Sequence, residues 1–144
     1  MIFFHRIAHF LYRIKIPLLP KIIYYLQFLL FNSSVPPSVE IGKGTKFAYG
    51  GIGVVIHARS KIGDNCIIGQ GITIGGKSKL YKVPQIGDKV YIAPGSRILG
   101  DITIGNNVVI GANSVVVKDV EDNCVIAGVP AKVIRTDIMF DDYV

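Results

Sequence analysis

At 144 residues the chain has room for one domain, which excludes an array of catalytic modules. Half of its residues are hydrophobic, 16 are Gly and only 18% are charged, a balance that suits a stacked β core burying further surface between subunits. The net charge of +6 is unevenly placed: no acidic residue precedes Glu40, whereas Arg6, Arg13, Lys15 and Lys21 all do.

Residues 2–31 read as one or two amphipathic helices broken by Pro17 and Pro20, with Ile7, Phe10, Leu11 and Ile14 sharing a face. Such an arm either caps the open end of whatever follows or lies on an anionic membrane surface, and the cap is the preferred reading. Its longest apolar run, Ile22 to Phe31, is too short to span a bilayer. No small-residue cleavage site follows, which argues against a signal peptide. Asn32 to Ser38 forms a turn-rich hinge, so the arm is assigned to residues 1–34.

From Val35 a period of six takes over. Val35, Ile41 and Phe47 begin it; Ile56, Ile62, Ile68 and Ile74 continue it, and Ile86, Ile92, Ile98, Ile104, Ile110 and Val116 follow in phase. Six fits neither a helix nor a simple strand, and is the period of a hexapeptide β-helix whose identical slots stack along one axis. Gly follows the apolar residue at Gly63, Gly69, Gly75, Gly87, Gly105 and Gly111, where the chain must turn. The phase breaks twice. Three extra residues lie between Phe47 and Ile56, around Tyr49, and a polar, basic loop spans 76–85. Inserted loops in repeat arrays cluster on a binding face. The β-helix domain is assigned to 35–135, and the tail, 136–144, is expected to be a mobile end.

His57 is the one histidine outside the arm, in the outward slot that most other turns fill with Gly, and is the candidate general base. One histidine cannot build a three-histidine zinc site, so no metal is expected. Cys66 and Cys124 lack ligand spacing and read as small core residues in a reducing compartment. Lys77, Lys79 and Lys82 in the loop, with Lys132 near the end, could hold phosphates by charge. No aromatic-interleaved basic groove or recognition motif points to nucleic acid.

The Ile-Gly runs, the segment Gly-Gly-Ile-Gly-Val-Val-Ile-His at 50–57, Ile74-Gly75-Gly76-Lys77, and Ala-Gly-Val-Pro-Ala-Lys at 127–132 together resemble the hexapeptide-repeat acyltransferases. The resemblance lies in the serine acetyltransferase group and its relatives that O-acetylate sugars of capsule, exopolysaccharide and lipopolysaccharide. It implies an all-β, left-handed parallel β-helix with a short N-terminal helical arm, assembled as a homotrimer with acetyl-CoA between adjacent prisms. By position, Gly75, Gly76 and Lys77 match the cofactor groove before the loop. Ala93, Gly111 and Ala112 match small residues along the pantetheine arm, and Gly128, Ala131 and Lys132 match the segment near the nucleotide. The chain departs from the serine enzymes where Ala48-Tyr49 replaces an Asp-His pair and Lys82-Val83 an Arg-His pair.

The resulting expectation is an acetyl-CoA-dependent O-acetyltransferase acting on a sugar or surface-polysaccharide precursor. His57 would be its base, and Tyr49, Tyr81 and Lys82 would position the acceptor. Serine O-acetylation in cysteine biosynthesis is the alternative within the same reaction, and a catalytically inactive trimeric scaffold the alternative outside it. The expected location is cytoplasmic; in the membrane-surface reading of the arm, residues 1–31 would add peripheral contact with the inner face of the membrane.

Overall fold

The computed structural model describes residues 1–144. Two helices, α1 (Ile2–Arg13) and α2 (Leu19–Phe31), precede four turns of a three-sided coil. The first turn is β1 (Glu40–Ile41), β2 (Lys46–Phe47) and β3 (Val55–Ile56); the second is β4 (Lys61–Ile62), β5 (Ile67–Ile68) and β6 (Thr73–Gly75). The third is β7 (Gln85–Ile86), β8 (Val90–Ile92) and β9 (Arg97–Leu99), and the fourth β10 (Thr103–Ile104), β11 (Val108–Ile110) and β12 (Val115–Val116). A final hairpin, β13 (Cys124–Gly128) and β14 (Ala131–Thr136), ends the stack. Equivalent strands of successive turns pair in parallel, giving three flat sheets that face one another as a left-handed β-helix.

The register explains the six-residue period. Ile56, Ile74, Ile98 and Val116 are aligned on one side, Ile41, Ile62, Ile86 and Ile104 on the second, and Ile68, Ile92, Ile110 and Ile126 on the third. All are buried, and the residues two before them at Val54, Ser60, Cys66, Val90, Ser96, Val108 and Ser114 are buried as well. Each fully buried isoleucine contributes about 2–3 kcal/mol of apolar transfer free energy. The small residue two places earlier fills the corner between adjacent sheets.

The corner between the first and second sheets is held by a ladder of acid and amide side chains. Asp64 Oδ1 accepts the backbone N–H of Lys43, Asp88 Oδ1 that of Asp64, Asn106 Oδ1 that of Asp88, and Asp122 Oδ1 that of Asn106. Each carboxylate or amide reaches one turn back into the space above a glycine. A Cβ on Gly63 would lie 2.2 Å from Asp88 Oδ1, so the Ile-Gly pair is required by its stacked neighbour.

The helical arm caps the N-terminal end of the coil. His5 Nε2 donates to the Val39 carbonyl at 3.1 Å, His9 Nδ1 to the Pro37 carbonyl at 2.8 Å, and the Arg6 guanidinium to the carbonyls of Ile41 and Gly42 at 2.6 Å each. These side chains satisfy carbonyls at the open end that would otherwise have no strand beyond them. No helix is long and apolar enough to cross a membrane.

At the other end the expectation of a mobile tail is corrected. Ile138 and Phe140 are buried, and Ile138 packs with Val109 and Val125 on the outer face of β11 and β13. Asn107 fixes the tail twice, donating to the Ile138 carbonyl at 2.8 Å and accepting the Phe140 N–H at 2.7 Å. The acidic residues of the tail hid this docking, because the two that anchor it are apolar. Cys66 and Cys124 are buried free thiols, and burial pushes both thiols up from their ordinary range, which keeps them protonated.

Candidate active site

The edge that follows β3, β6, β9 and β12 carries the irregular features together. Its first step is His57. Its backbone N–H bonds the Ile74 carbonyl at 2.8 Å, which anchors the residue to the turn below. The ring is half-buried, and its Nδ1 accepts the backbone N–H of Arg59 at 3.2 Å. The neutral ring therefore carries its proton on Nε2 and its basic lone pair on Nδ1. A base acting through Nε2 does not fit this arrangement; the lone pair available to a hydroxyl is the one that the Arg59 amide holds.

One step along the edge, β6 ends at Gly75-Gly76 and the loop departs. A Cβ on Gly76 would lie 3.2 Å from Val83 Cγ1 and 3.8 Å from His57 Cδ2, so the missing side chain lets the loop fold back beside the histidine. Val83 and Pro84 are buried as the loop returns, and Gln85 Nε2 donates to the Val83 carbonyl at 2.9 Å. Arg59 fastens the loop from above. Its Nε and Nη2 both donate to the Tyr81 carbonyl, and its guanidinium carbon lies 4.2 Å from the centroid of the Tyr81 ring. This is a combined hydrogen-bond and cation–π contact. The Tyr81 side chain is thereby occupied in holding the loop.

Below the loop, three cavities follow one another along the same edge. The first, about 360 Å³, is lined by Arg59, Lys82, Asp101 and Thr103. The second, about 570 Å³, shares Asp101 and is lined by Gly76, Lys77, Leu99, Gly100 and Val117. The third, about 350 Å³, shares Val117 and includes Lys118, Ala131 and Lys132. At about 4.8 Å per stacked turn, the distance from Gly76 to the terminal hairpin is about 14 Å. A narrow, flexible chain with phosphates fits such a trough, because Gly76 and Gly100 open its floor and lysines stand along it. None of these lysines is in an ion pair; the sole salt bridge joins Lys61 and Glu40.

The residues singled out from sequence thus fall on different edges. Gly76, Lys77, Ala131 and Lys132 line the trough, Gly75 ends the strand leading into it, and Tyr81, Lys82 and His57 flank its upper end. Gly128 ends β13 and pairs with Ala131 across the two-residue turn of the terminal hairpin. Ala93, Gly111 and Ala112 follow β8 and β11, on the edge one side further round the prism. Tyr49 is exposed on that other edge too, in a short 3-10 turn where its own φ is +49°. Lys79 sits at the loop tip, also left-handed at φ +71°. Arg59, Gly100, Asp101 and Lys118 belong to the site and were not singled out; only Arg59's closeness to His57 in the chain could have signalled one of them. No group of three or more His, Cys, Asp or Glu side chains is arranged to hold a metal ion.

Comparison with known proteins places this geometry. Residues 84–118 match the family model described as bacterial transferase hexapeptide (six repeats). Over 140 residues the chain is 40% identical to a serine acetyltransferase of Synechococcus elongatus, covering 95% of this chain and 57% of that one. It superposes on the crystal structure of serine acetyltransferase from Neisseria gonorrhoeae with a TM-score of 0.86 at 35% identity, covering 93% of this chain and 52% of the other. A serine acetyltransferase solved in complex with CoA gives a TM-score of 0.83 at 33% identity, covering 91% of this chain and 54% of that one. The chain thus spans just over half the length of these relatives. The expectation of a sugar or surface-polysaccharide acceptor is overturned by this set, in which the relatives that match across nine-tenths or more of the chain are serine acetyltransferases. The replaced histidines had argued for a different acceptor, but the likeness runs through the arm and every turn of the coil.

Proposed function

We propose that this chain, a member of the hexapeptide-repeat transferases in their serine acetyltransferase-like branch, transfers an acetyl group from acetyl-CoA to the hydroxyl of serine. The observation that carries this reading is the 40% identity to a serine acetyltransferase over 95% of the chain, joined to a trough that begins beside its one coil histidine. Acetyl-CoA is the co-substrate. Gly76 and Gly100 let its pantetheine arm lie against backbone, and Lys77, Lys118 and Lys132 attract its phosphates.

In the reaction the serine oxygen forms a bond to the acetyl carbon and the carbon–sulfur bond breaks. The hydroxyl exchanges with the Arg59 amide at His57 Nδ1, which takes its proton and passes it to the departing thiolate. Lys82 stands in the first cavity beside Arg59, placed to attract the serine carboxylate, while Asp101 on its other wall suits the ammonium. Tyr49, Ala93, Gly111 and Ala112 complete the site only if a second copy supplies its neighbouring edge, which supports a homotrimer with the acetyl-CoA trough between subunits.

The test is thiol release from acetyl-CoA with and without L-serine, by the wild type and His57→Ala. Serine-dependent release is expected, lowered by roughly 10² to 10⁴ in the variant while its affinity for CoA is kept. No serine-dependent release by the wild type overturns the reading.

A further inference from the structure

The cap leaves a large part of the arm unused. Phe3, Ile7, Phe10 and Ile14 form a stripe at helical spacing along α1, and all four are solvent-exposed. Ile22, Leu26 and Leu29 make a second exposed stripe along α2. The two stripes meet at the connection between the helices, where Ile16, Leu18 and Leu19 are also exposed, with Leu18 at 73%. Lys15 and Leu18 both have positive φ there, +60° and +67°, and Leu18 is the centre of a tight turn closed by the Leu19 N–H, which donates to the Pro17 carbonyl at 2.7 Å. Around this apolar tip stand Arg13, Lys15 and Lys21, all exposed and none in an ion pair.

The charge decides what covers it. Residues 1–39 contain no acid, and Arg6 is already engaged with the Ile41 and Gly42 carbonyls. Two arms packed together would bring their cations into one interface with no carboxylate to pair with. An anionic lipid surface supplies the missing negative charge and an apolar layer for the tip. We infer that the helix–helix tip is a membrane-surface anchor: Ile14, Ile16, Leu18 and Leu19 enter the headgroup boundary, and Arg13, Lys15 and Lys21 bind anionic headgroups. The opposite face of α1, with His5 and His9 bonded to the Val39 and Pro37 carbonyls, stays docked on the coil, so one arm both closes the β-helix and holds it to lipid.

The experiment is co-sedimentation of the full chain with vesicles of phosphatidylcholine alone and of phosphatidylcholine mixed with phosphatidylglycerol. The chain is expected to sediment with the anionic vesicles only and to be released by high salt. Arg13→Gln, Lys15→Gln and Lys21→Gln combined are expected to weaken binding roughly a hundredfold. Ile16→Ser with Leu18→Ser is expected to abolish it while leaving the melting temperature unchanged. No sedimentation with anionic vesicles overturns the anchor, as does binding that survives the Ile16→Ser, Leu18→Ser pair. A solution mass that falls with that pair, without any vesicle binding by the wild type, assigns the tip to a second copy instead.

Discussion

His5 is a histidine placed where it cannot be charged cheaply. It is buried against the first turn, its Nε2 donates to the Val39 carbonyl, and its Nδ1 has no partner. Burial, with His9 and Arg6 adding positive charge nearby, lowers its pKa from 6.5 to about 4, against the carbonyl bonds that raise it. The folded state therefore binds fewer protons than the unfolded one between these values. Stability contributed by the neutral ring is present in full above pH 6.5, is lost as pH falls, and is gone below about 4. The gap corresponds to about 3 kcal/mol. Urea unfolding of the wild type and His5→Gln at pH 7 and pH 4 measures it, and the wild type is expected to lose about 3 kcal/mol more across that range. Equal losses would mean that His5 opens to water when charged. At this same scale the sequence speaks unevenly. His57 stands out because it occupies an outward slot that most other turns give to Gly, a contrast that periodicity exposes. The work of Arg59 is invisible in one dimension, because its partner Tyr81 is 22 residues away on a loop whose return path no local pattern encodes.

Among elements, the glycines of the coil include two kinds with different physical reasons. Gly63 has ordinary backbone, but a Cβ there would meet Asp88 Oδ1 at 2.2 Å and the Gly87 carbonyl oxygen at 2.5 Å. Gly71 has open space around it and a φ of +64°. Gly63→Ala is thus an overpacking substitution that also breaks the bond from the Asp64 N–H to Asp88, and it is expected to cost about 3 kcal/mol. Gly71→Ala carries only the strain of a left-handed alanine, about 1 kcal/mol. Denaturant midpoints of the two variants separate the cases, and equal costs would remove the acid–amide ladder as the reason for the Ile-Gly pairs. The coil was readable in advance because a stacked register repeats its demands every six residues. The acceptor expectation went wrong because the replacements at Ala48-Tyr49 and Lys82-Val83 pointed away from serine, whereas the likeness over 95% of the chain is to a serine acetyltransferase.

For the whole molecule, a coil in which each turn touches only its neighbours has stability that is close to a sum of turn-to-turn terms. Its two ends are closed by different devices: the helical arm over the first turn, and the antiparallel strand β14 with the docked tail at the last. Ala8 is buried within the arm at 2% exposure, so Ala8→Asp places an unpaired carboxylate there and disrupts the packed helices without touching a coil residue. Hydrogen exchange of the full chain is expected to show the consequence in graded form. Amides of β1, β2 and β3, which lose the cap, should exchange much faster, those of β4 to β6 moderately faster, and those of β8 and β11 at the wild-type rate. Such a gradient is what nearest-neighbour coupling requires, because the middle turns keep both of their partners. A uniform loss of protection from β1 to β13 would instead mean that the β-helix melts as one unit, with the arm contributing to every turn through the stack.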